Sequence, residues 1–69
     1  MPHPANVYDD EDVVRGLHVL ALWNGRRERA SQALSEAGHP VPASTLRDWK
    51  NKHADRYARA RKAVEETIW

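Results

Sequence analysis

Residues 30–49 read ASQALSEAGHPVPASTLRDW, and this stretch decides the fold. Its apolar residues recur at helical spacing on both sides of a break formed by Gly38, Pro40 and Pro42. Because glycine ends helices and proline cannot continue them, the pattern predicts two helices joined by a turn. Helix 2 is predicted over 26–37, with a core face made of Ala30, Ala33, Leu34 and Ala37.

The chain after Pro42 contains neither glycine nor proline. Its apolar residues recur every three or four positions, which predicts one long helix or two collinear helices with a kink near 51–54. The stripe consists of Leu46, Trp49, His53, Tyr57, Ala60, Val64 and Ile68. Trp49 at this spacing is a core residue rather than a base-stacking platform. Two short helices cannot cover so long a stripe, so we expect residues 57–69 to pack on helix 1 or against another chain.

Helix 1 is predicted to begin at Asp9, which can cap it, and the acidic residues 10–12 then lie where the helix dipole favours negative charge. Its core stripe is followed by Asn24-Gly25, a stop signal, and consists of Val13, Leu17, Leu20 and Ala21. The sequence therefore predicts an all-α fold with a three-helix core and a long C-terminal helix. Residues 1–8 are a flexible lead-in, and 9–69 are a single domain.

The composition argues against several classes of protein. The absence of cysteine excludes disulfides and thiolate zinc sites, and His18, His39 and His53 share no metal-ligand spacing. No catalytic grouping or phosphate loop is recognisable, so we expect neither an enzyme nor a cofactor. The longest apolar run, Val19 to Trp23, is far shorter than the roughly 20 residues of a membrane span. Without a signal peptide, the expected location is the cytoplasm.

Charge is distributed unevenly along the chain. Residues 1–25 contain four acidic residues and one basic residue, a net charge of −3, whereas residues 26–62 contain ten basic and four acidic residues, a net charge of +6. A basic segment beside an acidic one is typical of nucleic-acid binders, although many helical surfaces are locally basic.

The motif itself resembles a known family. Ala30-Ser-Gln-Ala-Leu34, Gly38 and Val41-Pro-Ala-Ser-Thr45-Leu46-Arg47-Asp48-Trp49 are similar to the helix-turn-helix of transposases and of phage small-terminase-type proteins. The following His53-Ala-Asp-Arg56-Tyr57 is similar to what trails the motif in some terminase small subunits. The turn is longer than in the family, and Pro42 stands where a capping Ser or Thr is usual. We therefore expect helix 3 to begin a residue or two later, with Ser44 as its cap.

The resemblance implies that helix 3 enters the major groove of double-stranded DNA. The candidate base-reading positions are Ala43, Ser44, Thr45, Arg47, Asp48, Lys50 and Asn51. Arg47 can donate two hydrogen bonds to guanine, and Asn51 can pair with adenine. The candidate phosphate contacts at the start of helix 2 are Arg26, Arg27 and Arg29.

Two functional hypotheses follow. The first is a DNA-binding module of phage or mobile-element origin, which serves DNA packaging alongside a larger motor or effector subunit in the host cytoplasm. A regulator or transposase DNA-binding domain is a neighbouring alternative. The second is a helical protein-interaction module that forms a homo-oligomer through the distal helix and docks through Val19, Leu22, Ile68 and Trp69.

Overall fold

A computed structural model of the protein describes the backbone of residues 8–68 and the side chains of residues 8–67. This part of the chain contains four helices, α1 (Asp10–Leu22), α2 (Arg27–Glu36), α3 (Ala43–Lys52) and α4 (Ala54–Ile68). The predicted all-α class is confirmed. The kink expected near 51–54 is a helix break at His53, whose φ of −117° and ψ of 49° are not helical. Residues 1–7, which belong to the predicted lead-in, and Trp69 lie outside the described residues.

The start of α1 satisfies its own backbone donors. The Asp9 carboxylate accepts a hydrogen bond from the Asp12 backbone N–H at 2.9 Å, and the Asp12 carboxylate accepts one from the Asp9 N–H at 3.2 Å. Reciprocal bonds of this kind form a capping box, and the acidic first turn also opposes the helix dipole. The predicted cap at Asp9 is therefore confirmed.

Helices α1, α2 and α3 meet around a small apolar core. The buried residues that the sequence assigned to it are Val13, Leu17, Leu20, Ala21, Ala30, Leu34, Val41, Leu46 and Trp49. Ala33 is only half-buried and Ala37 is exposed, because the core face of α2 ends with the helix at Glu36. The predicted span of 26–37 exceeds the helix by one residue at each end, since Arg26 and Ala37 are its caps.

Trp49 is the centre of this packing. A Cβ atom added at Gly16 would lie 2.6 Å from Cζ3 of Trp49, so the bare glycine backbone of α1 makes room for the indole ring. On its other side, the ring of Tyr8 meets Trp49 edge-on with the centroids 5.0 Å apart. Tyr8, which the sequence placed in the lead-in, is thus attached to the core.

The start of α3 differs from the expectation. Ser44 does not cap the helix: Pro42 is the N-cap residue, with φ −61° and ψ 149°, and its carbonyl accepts the first helical hydrogen bond from the Leu46 N–H at 3.1 Å. Proline suits this position because its missing N–H would have no helical partner there. Ser44 lies instead inside the first turn and is exposed.

Helix α4 packs back on α1, with which it makes its most extensive contacts. Val64 is buried, Tyr57 packs against the core, and the guanidinium of Arg56 donates to the carboxylate of Asp10 at 3.2 Å. This confirms the first of the two placements expected for the distal stripe. Within residues 8–68, α4 contacts α1 and α3 and makes no contact with α2.

Candidate nucleic-acid interface

One side of α3 is turned fully outwards. Leu46 and Trp49 point into the core, and at 3.6 residues per turn the opposite side of the helix carries Ser44, Arg47, Asp48 and Asn51. All four are exposed, and we call them the outer face. Ala43, in the first turn of α3, is half-buried. Four of the seven predicted base-reading positions thus share one surface, namely Ser44, Arg47, Asp48 and Asn51. The outer face presents a guanidinium, a carboxylate, an amide and a hydroxyl, which together can donate to and accept from base edges.

The other two predicted readers lie on the flanks of the helix. Thr45 is half-buried and lines a shallow groove beside the ring of Tyr8, together with Lys52. It therefore borders the outer face instead of belonging to it. Asp48 and Asn51 line the same groove, so the outer face continues into it without interruption.

Lys50 lies on the opposite flank, where it faces Tyr57 of α4. Its Nζ is 5.4 Å from the centroid of the Tyr57 ring, which is within the range of a cation–π interaction. A Cβ atom added at Gly25 would lie 3.3 Å from the Tyr57 Oη and 3.8 Å from the Lys50 Nζ. The turn between α1 and α2 therefore packs against the end of α3. Gly25 has φ +82°, a conformation that glycine adopts without strain.

Arg26 directly follows this turn, so the start of α2 lies beside Lys50. Arg26 is the N-cap residue of α2 and forms no side-chain capping bond, and both Arg26 and Arg27 are exposed. Arg27 is one turn before Ser31, whose hydroxyl donates to the Val41 carbonyl just ahead of α3. Arg27 therefore projects from the side of α2 that faces the start of α3.

Arg29 does not join this group. Two residues before Ser31, it is rotated by about 160° around the helix axis from the side that meets the loop before α3. The structure thus places the turn before Arg26 against Lys50 and Arg27 on the side of α2 that faces the loop before α3, and leaves Arg29 exposed on a different side of α2. The break at His53 also puts Ala58 and Lys62 on a separate helix from Arg47 and Asn51.

Tyr57 has a role that the sequence pattern did not reveal. It belongs to the apolar stripe as predicted, but its hydroxyl is buried and finds no partner within hydrogen-bond geometry. The hydroxyl nevertheless lies close enough to Arg61 to raise the pKa of that guanidinium, and Glu65, 3.6 Å away, raises it further. Tyr57 thus lies next to Gly25, Lys50 and Arg61, and its ring is within cation–π distance of the Lys50 ammonium group. The one indication of this contact in the sequence was Gly25, and that residue by itself predicts only the end of a helix.

Neither metal ligation nor a membrane span is evident in this part of the chain. Residues 8–68 contain no cluster of three histidine, cysteine, aspartate or glutamate side chains placed to hold a metal ion. His18 and His39 are not buried, and His53 is the C-cap residue of α3. Among the helices that the structure describes, none combines the length and apolar character needed to cross a bilayer.

Comparison with known proteins adds no relative to this description. No protein-family model, curated protein or solved structure matches the chain.

Proposed function

We propose that this protein binds double-stranded DNA, with the outer face of α3 in the major groove and the start of α2 on the phosphate backbone. The observation that carries the proposal is the packing of Gly25, the residue before Arg26, against Lys50 on the flank of an exposed, polar helix face. Arginines at an uncapped helix N-terminus combine three sources of positive potential, namely their own charge, the helix dipole and free backbone N–H groups.

Within this proposal the residues have separate tasks. Arg47 can donate two parallel hydrogen bonds to guanine, and Asn51, one turn further on, can bond adenine. Arg26 and Arg27 neutralise phosphates whatever the base sequence, and Lys50 adds a third cation, which lies within cation–π distance of the Tyr57 ring. Ser44 and Thr45 border the reading positions. Arg29 contributes through the overall potential only, because it points away from α3.

The biological setting that we propose rests on the resemblance of residues 30–57 to phage small-terminase-type proteins. It is recognition of phage or mobile-element DNA in the host cytoplasm, for delivery to a larger motor subunit. Regulation of transcription or transposition would use the same surface. The choice between these settings depends on which DNA is bound and not on the geometry of the helices.

A second candidate function is supported by the apolar residues that remain on the surface. Leu22 and Trp23 at the end of α1 are 54% and 41% exposed, which favours docking to another protein. Val19, also assigned to this surface, is half-buried against the core and adds little to it. Ile68 and Trp69 lie outside the described side chains. Apolar docking depends weakly on salt, whereas DNA binding weakens steeply as salt increases.

The test is a set of single alanine variants, measured by fluorescence anisotropy on a duplex selected from a random library and on a random duplex, across a salt series. Arg47→Ala should lose roughly 1–3 kcal/mol on the selected duplex and little on the random one. Arg27→Ala should weaken both duplexes alike and reduce the slope of log affinity against log salt by about one.

Arg29→Ala and Lys62→Ala are the matched controls, because each removes one exposed cation outside the proposed interface. Both should change affinity less than Arg27→Ala does. Equal losses for all these variants would reduce the interaction to general electrostatic attraction. Unchanged DNA affinity in Arg47→Ala and Arg27→Ala would replace the proposal with the protein-docking function.

A further inference from the structure

A groove between α1 and α4 is separate from the outer face of α3. It encloses about 390 Å³, and neither α2 nor α3 contributes to its lining. Its floor is apolar and is formed by Val14, Leu17, Ala60 and Ala63. Leu17 is buried, but Val14 is 56% exposed, the highest exposure among the large apolar side chains in the described part of the chain. Covering this apolar surface would remove Val14 from water, which favours association.

The edge of the groove is basic. His18, Arg56 and Arg59 line it. Arg56 is held by Asp10 of the same chain, whereas Arg59 has no carboxylate within 4 Å among the described residues. A segment that covers the groove should therefore bring a carboxylate towards Arg59 and His18, together with an apolar side chain for Val14.

Helix α1 itself carries such a set of groups next to the groove. Glu11, Val14 and His18 follow one another at steps of three and four, so they lie along one side of the helix, and none of the three is buried. Their order is a carboxylate, an apolar side chain and an imidazole, and the imidazole lines the groove next to Arg59. In two antiparallel copies of α1 this order runs in opposite directions. Glu11 of one copy then faces His18 of the other, so the two helices complement each other.

We propose that the groove is covered by a second copy of this chain. In this dimer the α1 helices pack antiparallel with the two Val14 side chains at the two-fold axis, and each Glu11 faces the partner's His18 and the basic edge beside it. An interface between identical subunits must be self-complementary, and this arrangement meets that condition with charges of both signs. An acidic helix from a different protein would match Arg59 but would face Glu11 with a like charge.

The contact is short, since one helix pair around Val14 is well below a standard interface in area. We therefore expect a weak dimer that forms at concentrations on the order of 100 μM. The dimer leaves the outer face of α3 free, so it does not depend on the proposed DNA binding. Arg47→Ala, which tests DNA binding, should dimerise like the wild type.

Charge reversal with complementation tests the dimer by sedimentation equilibrium. Glu11→Lys places a cation at the partner's basic edge beside Arg59, His18→Glu places a carboxylate opposite the partner's Glu11, and each should weaken association at least about tenfold. An equimolar mixture of the two variants should recover association. In the mixed dimer the lysine introduced at position 11 of one chain faces the glutamate introduced at position 18 of the other, and the unchanged Glu11 and His18 face each other. Glu28→Lys makes the same charge change in the first turn of α2 and should leave association unchanged.

Recovery in the mixture also proves that both variants are folded, since an unfolded chain could not complement its partner. A wild-type protein that stays monomeric up to about 1 mM overturns the proposal and leaves the groove to an acidic helix of another protein. Dimerisation that both reversals leave intact also overturns it and points to the exposed Leu22 and Trp23 instead. A mixture that does not recover association excludes the antiparallel pairing.

Discussion

The first turns of α1 and α2 are built on opposite principles. At α1, Asp9 forms a capping box with Asp12, and the first turn is entirely acidic. At α2, Arg26 occupies the N-cap position without a capping bond, and Glu28 is the only acidic residue in the first turn. Because the N-terminal end of a helix is electrically positive, α1 begins in the most favourable way and α2 begins with cations where they are disfavoured.

The difference shows that the start of α2 lacks the local stabilisation that the capping box gives to the start of α1. Helix α2 is maintained by tertiary packing, through the buried Ala30 and Leu34 and the hydrogen bond from Ser31 to the Val41 carbonyl. Sequences usually depart from local helix rules at sites with another role. An anionic partner at Arg26 and Arg27 would offset their repulsion from the helix dipole, and the uncapped start of α2 is therefore consistent with the proposed DNA binding.

The largest effect on stability is expected from removing the Trp49 side chain, which packs against α1 and the residue Tyr8 before it. Trp49 contacts both Tyr8 and the backbone of Gly16, so Trp49→Ala removes a buried ring and leaves a cavity against α1. It should lower the free energy of unfolding by about 3–5 kcal/mol, as measured by urea denaturation. Trp23→Ala is the matched control, because Trp23 is 41% exposed, and should cost far less. Similar losses in the two variants would contradict the packing described for Trp49.

Exchanging the chemistry of the two helix starts should change stability in opposite directions. Asp9→Ala removes the cap of α1 and should destabilise the protein by about 1 kcal/mol. Arg26→Asp supplies α2 with a capping side chain and should stabilise it by a similar amount, while it weakens binding to every DNA duplex. Thermal unfolding and anisotropy measure the two effects. A destabilised Arg26→Asp variant would mean that Arg26 has a structural role that the contacts do not explain.

The smallest effect concerns pH and the capping box. Hydrogen bonding to the Asp9 backbone N–H, with a further contribution from Arg15 at 2.9 Å, lowers the pKa of Asp12 below its ordinary value of 3.8. Because the folded pKa is the lower one, the stabilisation is complete well above pH 3.8 and disappears as the pH falls through the folded pKa. The difference in unfolding free energy between wild type and Asp12→Asn should therefore shrink below about pH 4. A difference that is independent of pH would show that the charge of Asp12 does not matter.

Much of the fold could be predicted because its signals are local. The apolar spacing of Val13, Leu17 and Leu20 identifies the core side of α1, and Asn24-Gly25 and Gly38 end α1 and α2 as expected. The start of α3 was predicted less well. Ser44 has a side chain that can cap a helix, but the backbone of Pro42 already has the extended conformation of an N-cap residue. The backbone conformation of Pro42 therefore determines where α3 begins.

The candidate interface required the tertiary structure for a different reason. The sequence by itself determined that Leu46 and Trp49 face inwards, and hence that Ser44, Arg47 and Asn51 face outwards, because these relations hold within a single helix. It could not determine that Thr45 lies beside Tyr8, that Lys50 lies over Tyr57, or that Arg27 and not Arg29 is on the side of α2 that meets α3. Those relations depend on how separate helices are positioned against one another. Close packing at Gly16 and Gly25 determines these positions, and the apolar spacing of the sequence does not reveal it.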